Sequence, residues 1–280
     1  MNEKATEKEL NKGFFTPKKL IILAAAVAVV AVIVALIISG ARSRAVSESV
    51  REGVDYIKSM ENADVAAVDG RVNAVRQKIF FDELDVKLEE DPDYVWTALD
   101  QIGTVIFGDS RMVPFASYGF MDESRVLADG GENLYSMDKH MDELKAAAPN
   151  LIVIGYGLND IGWPHSTPEE YCEAIMGYVD QMQEMLPDAH IYIQSILIPR
   201  DRMEEWYDLP GLAAKARGWD PIEQEYFREH GYNVIDVSDL VEEHEDTFGD
   251  DGAHFYPAFY PYLAERYLKT YLQDTMVFDD

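Results

Sequence analysis

The chain has one cysteine in 280 residues, Cys172. No internal disulfide can form, and no cysteine set for a metal exists. Cys172 falls in a helix-like stretch and is expected in the core. Cations are scarce as well: 24 Lys and Arg stand against 52 Asp and Glu, a formal net charge of −28. Their placement is uneven. Residues 1–44 hold seven Lys/Arg against three Glu, a local +4, which leaves −32 on the rest. Such an acidic body argues against a nucleic-acid partner, whose phosphates need Lys and Arg. It argues equally against lying flat on anionic lipid. The stretch from Ala45 to about Ile102 shows no internal repeat. No cluster of His, Cys and carboxylates shows metal-ligand spacing, so neither a metal nor another cofactor is expected.

Long apolar runs are absent except for one. Leu20 to Ile38 is uninterrupted, after a polar stretch carrying Lys4, Lys8, Lys12, Lys18 and Lys19. As a helix it would reach about 28 Å, close to a hydrocarbon core. The expectation is an uncleaved single-pass anchor at residues 20–39, behind a cytoplasmic segment 1–19. The competing reading is a cleaved signal peptide, with small residues at Ser39-Gly-Ala41 and Ser43-Arg-Ala45. The lysines favour a cytoplasmic N-terminus and an extracellular remainder.

Residues 40–102 are rich in Glu, Asp, Lys and Val. Glu48–Met60 and Ala66–Leu88 can be drawn as helices, forming a stalk or packing on the C-terminal domain. That domain, residues 103–280, alternates. Strand-like runs are Val105–Phe107, Arg125–Ala128, Leu151–Tyr156, His190–Ile196 and Asn233–Val237. Helix-like segments are Asn133–Ala147, Pro168–Met185, Pro221–Glu229 and Pro257–Gln273. Continuous apolar strands separated by helices predict a parallel five-stranded sheet covered on both faces. In such domains reactive residues sit on loops at the C-terminal strand ends.

Those loops carry a coherent set. Gly108-Asp-Ser110 ends the first strand, with Arg111–Tyr118 expected to start a helix. Asp129-Gly-Gly-Glu-Asn133 comes after the second strand, Gly155-Tyr-Gly-Leu-Asn-Asp160 ends the third, and Asp250-Asp-Gly-Ala-His254 comes late. Acyl chemistry needs a nucleophile, a base, an orienter and oxyanion donors. Ser110 is the candidate nucleophile, or else a helix cap. Of six histidines only His254 has an aspartate three residues earlier, Asp251, which one turn can bring to its imidazole. His165, past the third strand, is expected on the site rim. Donors would be the Ser110 N–H, a backbone N–H at Gly131 and the Asn159 amide. Residues 197–220 read as a long connection with Trp206, Tyr207 and Trp219, aromatics able either to stack on sugar rings or to pack the loop.

Gly-Asp-Ser, a glycine after the second strand, Gly-x-Asn-Asp and a late Asp-x-x-His, in this order, resemble the SGNH/GDSL hydrolases. The resemblance covers about Thr104 to Leu272. It implies a flavodoxin-like three-layer α/β/α sandwich and metal-free serine chemistry. It assigns Ser110, Asp251 and His254 as catalytic residues, and Ser110, Gly131 and Asn159 as the oxyanion hole. The second block is the poorest match, and Gly130 could replace Gly131. Arg111 resembles the Gly-Asp-Ser-Arg form of anchored bacterial members. It would meet an anionic substrate group or a carboxylate of the protein itself. The function implied is an extracytoplasmic, membrane-anchored serine esterase acting on acyl or O-acetyl groups of cell-envelope carbohydrate. The alternatives are an O-acyltransferase with the same triad and a catalytically silent envelope scaffold or carbohydrate-binding protein.

Overall fold

The computed structural model describes residues 31–32, 50 and 65–276. The chain divides into two compact units, one ending at Asp82 and the other Glu83–Asp280. Among the described residues no helix is long and apolar enough to cross a membrane. Of the apolar run Leu20–Ile38, only Ala31 and Val32 are described. The proposed Glu48–Met60 helix lies outside the described residues except for Val50. Helix α1, Val65–Glu90, begins in the first unit and ends in the second.

In the second unit, α2 (Tyr94–Ile102) leads into β1 (Thr104–Gly108). The helix ends at Gly103, in the left-handed region. β2 (Val126–Ala128), β3 (Leu151–Gly155), β4 (His190–Gln194) and β5 (Asn233–Ile235) complete a sheet of order β2-β1-β3-β4-β5. Every pairing is parallel. All five residues of β1 and of β3 are buried. That explains why these strands are continuously apolar instead of alternating.

The remaining helices are α3 (Pro114–Ser117), α4 (Met141–Ala147), α5 (Pro168–Met185), α6 (Arg202–Tyr207), α7 (Leu212–Glu229), α8 (Ser238–Glu243) and α9 (Tyr260–Thr275). Val105, Phe107, Ile152, Ile154, Ile191 and Ile193 join one core cluster with side chains of α5 and α7. α9 packs against α2 and β5. Its Tyr267 hydroxyl reaches the β4 side chain Gln194 in a very short hydrogen bond. Helices therefore bear on both faces of the sheet, and Cys172 is buried in the cluster as expected.

Several boundaries differ from the sequence reading. Arg111–Tyr118 holds only a single helical turn, α3, entered through turns at Arg111–Val113. Asn133–Ala147 splits into a 3₁₀ stretch, Leu134–His140, and α4. The Asn133 side chain caps that stretch by accepting the Tyr135 N–H. α7 starts nine residues ahead of Pro221, which it holds in its interior at the loss of one backbone donor. The supposed connection 197–220 is therefore mostly helical, comprising α6 and the first half of α7.

Candidate active site

The turn after β1 is fixed by close packing. A Cβ on Gly108 would lie 2.1 Å from Met112 Cγ and 2.9 Å from the Gly155 carbonyl, so only glycine fits. Asp109 and Arg111, the residues on either side of Ser110, are both buried. The Asp109 carboxylate accepts the Arg111 backbone N–H at 2.9 Å and its guanidinium at 3.0 and 2.6 Å. The third guanidinium nitrogen donates to the Leu197 carbonyl at 2.7 Å. This two-point, desolvated pair braces the turn from below. It also settles the two readings of Arg111. The guanidinium meets a carboxylate of its own chain and is not presented to a substrate.

Ser110 itself is partly exposed. Its Oγ lies 2.7 Å from His254 Nε2. His254 Nδ1 lies 2.5 Å from Asp251 Oδ2. A carboxylate only accepts, so Nδ1 bears the proton and Nε2 is the acceptor for the serine hydroxyl. The Asp251–His254 loop is closed by its own hydrogen bonds. Asp251 Oδ1 accepts the N–H groups of Ala253 and His254, each at 3.0 Å. Gly249 N–H donates to the His254 carbonyl at 2.7 Å.

α6 adds a contact that sequence spacing does not signal. The Tyr207 hydroxyl donates to Asp251 Oδ2 at 2.8 Å and lies 3.5 Å from His254 Nδ1. The segment carrying it is tied to the same loop: Arg200 N–H donates to Gly252 O at 2.8 Å and Arg202 Nη2 to Gly249 O at 2.9 Å. Burial acts to raise the Asp251 pKa, but the His254 N–H and imidazole, the Ala253 N–H and the Tyr207 hydroxyl outweigh it and hold it well below the usual carboxylate range. Burial and the same hydrogen bond push the Tyr207 hydroxyl up to about 12.

The other two blocks meet each other. Asn159 Nδ2 donates to the Glu132 carbonyl at 2.8 Å. The next residue, Asp160, accepts the Leu134 N–H at 3.1 Å. Two consecutive residues after β3 thus hold the loop after β2 at two points. Gly131 lies in that loop at φ +75°, a conformation that favours glycine. Among the described residues no hydrogen bond joins Gly131 or Asn159 to Ser110. Asp160 is fully buried, and burial pushes its carboxyl up to about 7 against the Leu134 and Gly157 backbone bonds. His165 is not on a rim. It is buried, with Nε2 3.1 Å from the Tyr135 hydroxyl and Nδ1 3.6 Å from Asp160 Oδ1.

The arrangement can move the serine proton to an imidazole whose far side is held by a carboxylate. That is what attack on an acyl carbon requires. Tyr207 is 44 residues from Asp251, beyond the reach of any local motif. A grouping of ligand-type side chains is likewise invisible in the spacing, yet among the described residues the fold gathers Asp129, Glu132 and His140. A cleft of ≈ 1200 Å³ is lined in part by Asp129, Arg125 and His140, and none of Ser110, Asp251 and His254 lines it.

The profile of the GDSL-like Lipase/Acylhydrolase family matches residues 116–260. That stretch contains Gly131, Asn159, Asp251 and His254 and begins six residues after Ser110. No curated protein matches the chain. Solved structures similar to it include a GDSL-like lipase from Bacteroides thetaiotaomicron, 13% identical, with a TM-score of 0.48, covering 63% of this chain and 91% of that one. The lipase/acylhydrolase from Enterococcus faecalis is 15% identical, with a TM-score of 0.47, covering 63% and 98%. An acetylxylan esterase from Geobacillus stearothermophilus, solved as a catalytic mutant, is 12% identical, with a TM-score of 0.43, covering 61% and 92%.

Proposed function

This chain belongs to the GDSL-like lipase/acylhydrolase family and is an ester-hydrolysing serine hydrolase, and from that premise we propose that Ser110, His254 and Asp251 form its catalytic triad. The observation that carries the reading is the unbroken chain Ser110 Oγ–His254 Nε2 at 2.7 Å and His254 Nδ1–Asp251 Oδ2 at 2.5 Å. Ser110 Oγ bonds to the acyl carbon while its proton passes to His254 Nε2. Asp251 stays ionised and stabilises the imidazolium. The oxyanion is met by the N–H of Ser110, the N–H of Gly131 and the Asn159 amide. His254 then returns its proton to the leaving alcohol. Water, deprotonated by the same imidazole, releases the acid and restores the serine.

The architecture is read as a flavodoxin-like three-layer sandwich, consistent with the 2-1-3-4-5 strand order. The substrate is an acyl, foremost an O-acetyl, group on a cell-envelope carbohydrate. Trp206, 63% exposed, adjoins Tyr207 on α6 and supports this reading as a surface for a sugar face. The envelope location rests on the anchor-like run Leu20–Ile38 and its upstream lysines.

The test is an assay of the purified chain on acetylated saccharides and simple acetate esters, with and without an unacetylated sugar acceptor. Free acetate is the expected product in both cases. Acetyl appearing on the acceptor would reassign the chain to acyl transfer. No turnover by folded protein on any acyl ester would leave the silent scaffold.

A further inference from the structure

A second constellation of polar side chains lies between β2 and α4. Asp129 comes directly after β2, Glu132 sits in the loop, and His140 ends the 3₁₀ stretch. One ligand atom from each lies within 4.8 Å of the others. Acidic groups gather on many surfaces, but three features set this cluster apart.

The Glu132 side chain is only 9% exposed, and its Oε2 is buried with no hydrogen-bond partner. A carboxylate oxygen in that state is destabilising unless something positive or proton-donating meets it. His140 Nδ1 lies 2.7 Å from Glu143 Oε2. The carboxylate accepts, so the ring proton is on Nδ1 and Nε2 presents a lone pair. That Nε2 is also buried without a partner. A carboxylate behind one imidazole nitrogen, with the other nitrogen free, is how metal-ligating histidines are oriented. Finally, the Lys139 ammonium already lies between the acids, 2.9 Å from Asp129 Oδ2 and in very close contact with Glu132 Oε1. The site therefore favours a cation. The Lys139 side chain is 47% exposed and can turn out to solvent. The open cleft bordered by Asp129, His140 and Glu143 provides the way in.

We propose that Asp129, Glu132 and His140 bind a first-row divalent cation of the Zn²⁺ type, displacing the Lys139 ammonium. One imidazole nitrogen and two carboxylate oxygens suit Zn²⁺. Mg²⁺ and Ca²⁺ prefer oxygen-only shells. The site is separate from the triad, which contributes no ligand to it. It stands at the loop that Asn159 holds through the Glu132 carbonyl, so a bound ion would tie that loop to the 3₁₀ stretch behind it.

Calorimetric titration of Zn²⁺ into the chelator-dialysed full chain tests this, with Mg²⁺ in parallel. The expected result is one saturable Zn²⁺ site per chain and no Mg²⁺ site. His140→Ala should weaken Zn²⁺ by more than about tenfold, and Glu143→Gln by about 10- to 100-fold through the lost orientation. Lys139→Met should tighten it, because the competing ammonium is gone. Damage to folding cannot produce tighter binding, so this variant keeps the test clear of stability effects. Absence of a saturable site, equal binding by wild type and His140→Ala, or unchanged affinity in Lys139→Met would each overturn the proposal.

Discussion

The loop that carries Asp251 and His254 and the stretch from Asp129 to His140 are both acidic and both hold a histidine, but they are built differently. In the first, both oxygens of Asp251 are engaged, by two backbone N–H groups on one and by an imidazole and a phenol on the other. In the second, Glu132 Oε2 and His140 Nε2 are buried with nothing bonded to them. The contrast separates two kinds of readiness. A fully bonded acid–base pair is held in position before the reaction, as a catalytic group must be. A half-bonded cluster keeps capacity for something that arrives later. The histidines differ in the same sense. His254 spends its Nε2 on Ser110, while His140 keeps its Nε2 free.

The largest expected effect breaks the first loop outright. Ser110→Ala and His254→Ala should each lower kcat by about 10⁴-fold or more, and the double variant should be little worse than either, because the groups act as a unit. Steady-state kinetics on an acetate ester measure this. Additive losses would mean that the two residues do not share one step. Next comes Asn159→Ala, which leaves the proposed triad whole but removes one proposed donor to the developing charge. A loss of about 10²–10³ in kcat with little change in KM is expected. A rise in KM alone would make Asn159 a binding residue.

Tyr207→Phe sharpens the comparison by giving Asp251 a partner fewer. Three hydrogen bonds to the carboxylate remain, so the expected fall in kcat/KM is about 3- to 10-fold, the net size of one ordinary hydrogen bond. Because the lost bond favours the ionised acid, the Asp251 pKa should rise, visible in its carboxyl NMR shift on acidification. An unchanged titration and unchanged kinetics would make the contact incidental.

The smallest effect on turnover is expected at Asp160, whose signature is in stability. Its carboxyl is pushed up to about 7 by burial, against about 3.9 in an unfolded chain. Between those values the folded protein keeps a proton that the unfolded chain has released. Stability therefore falls as pH rises through about 4 to 7 and levels off above. Asp220 and Glu223 are raised by burial as well and act in the same direction. Asp160→Asn stays neutral throughout while retaining an oxygen for the Leu134 N–H. The slope of Tm against pH over that window should flatten without vanishing. An unaltered slope would show that Asp160 does not hold the proton.

How much of the molecule is legible in its sequence depends on how local each signal is. β1 and β3 are legible because strands buried on both faces are apolar at every position. Asp251 and His254 are legible as a pair because one turn of chain connects them. The Asp109–Arg111 pair is only half legible. The two charges are visible in sequence, but that both are buried against each other depends on the Leu197 carbonyl from a distant strand end. α6 is hidden because six residues show no periodicity. Its Tyr207 becomes meaningful only when tertiary structure sets it on Asp251. His165 illustrates the reverse error. A loop position past β3 suggests a rim, yet the chain folds the ring inward against Tyr135 and Asp160. The Asp129, Glu132 and His140 cluster spans a strand end, a loop and a 3₁₀ stretch, so no fixed spacing announces it.

Covalent labelling tests the central claim most directly. The folded wild-type protein, treated with a fluorophosphonate and digested, should yield one adduct on the peptide holding Gly108-Asp-Ser110, with His254→Ala labelled far more slowly. A folded wild-type protein that stays unlabelled, or an adduct on another serine, would contradict the assignment of Ser110 as the activated nucleophile.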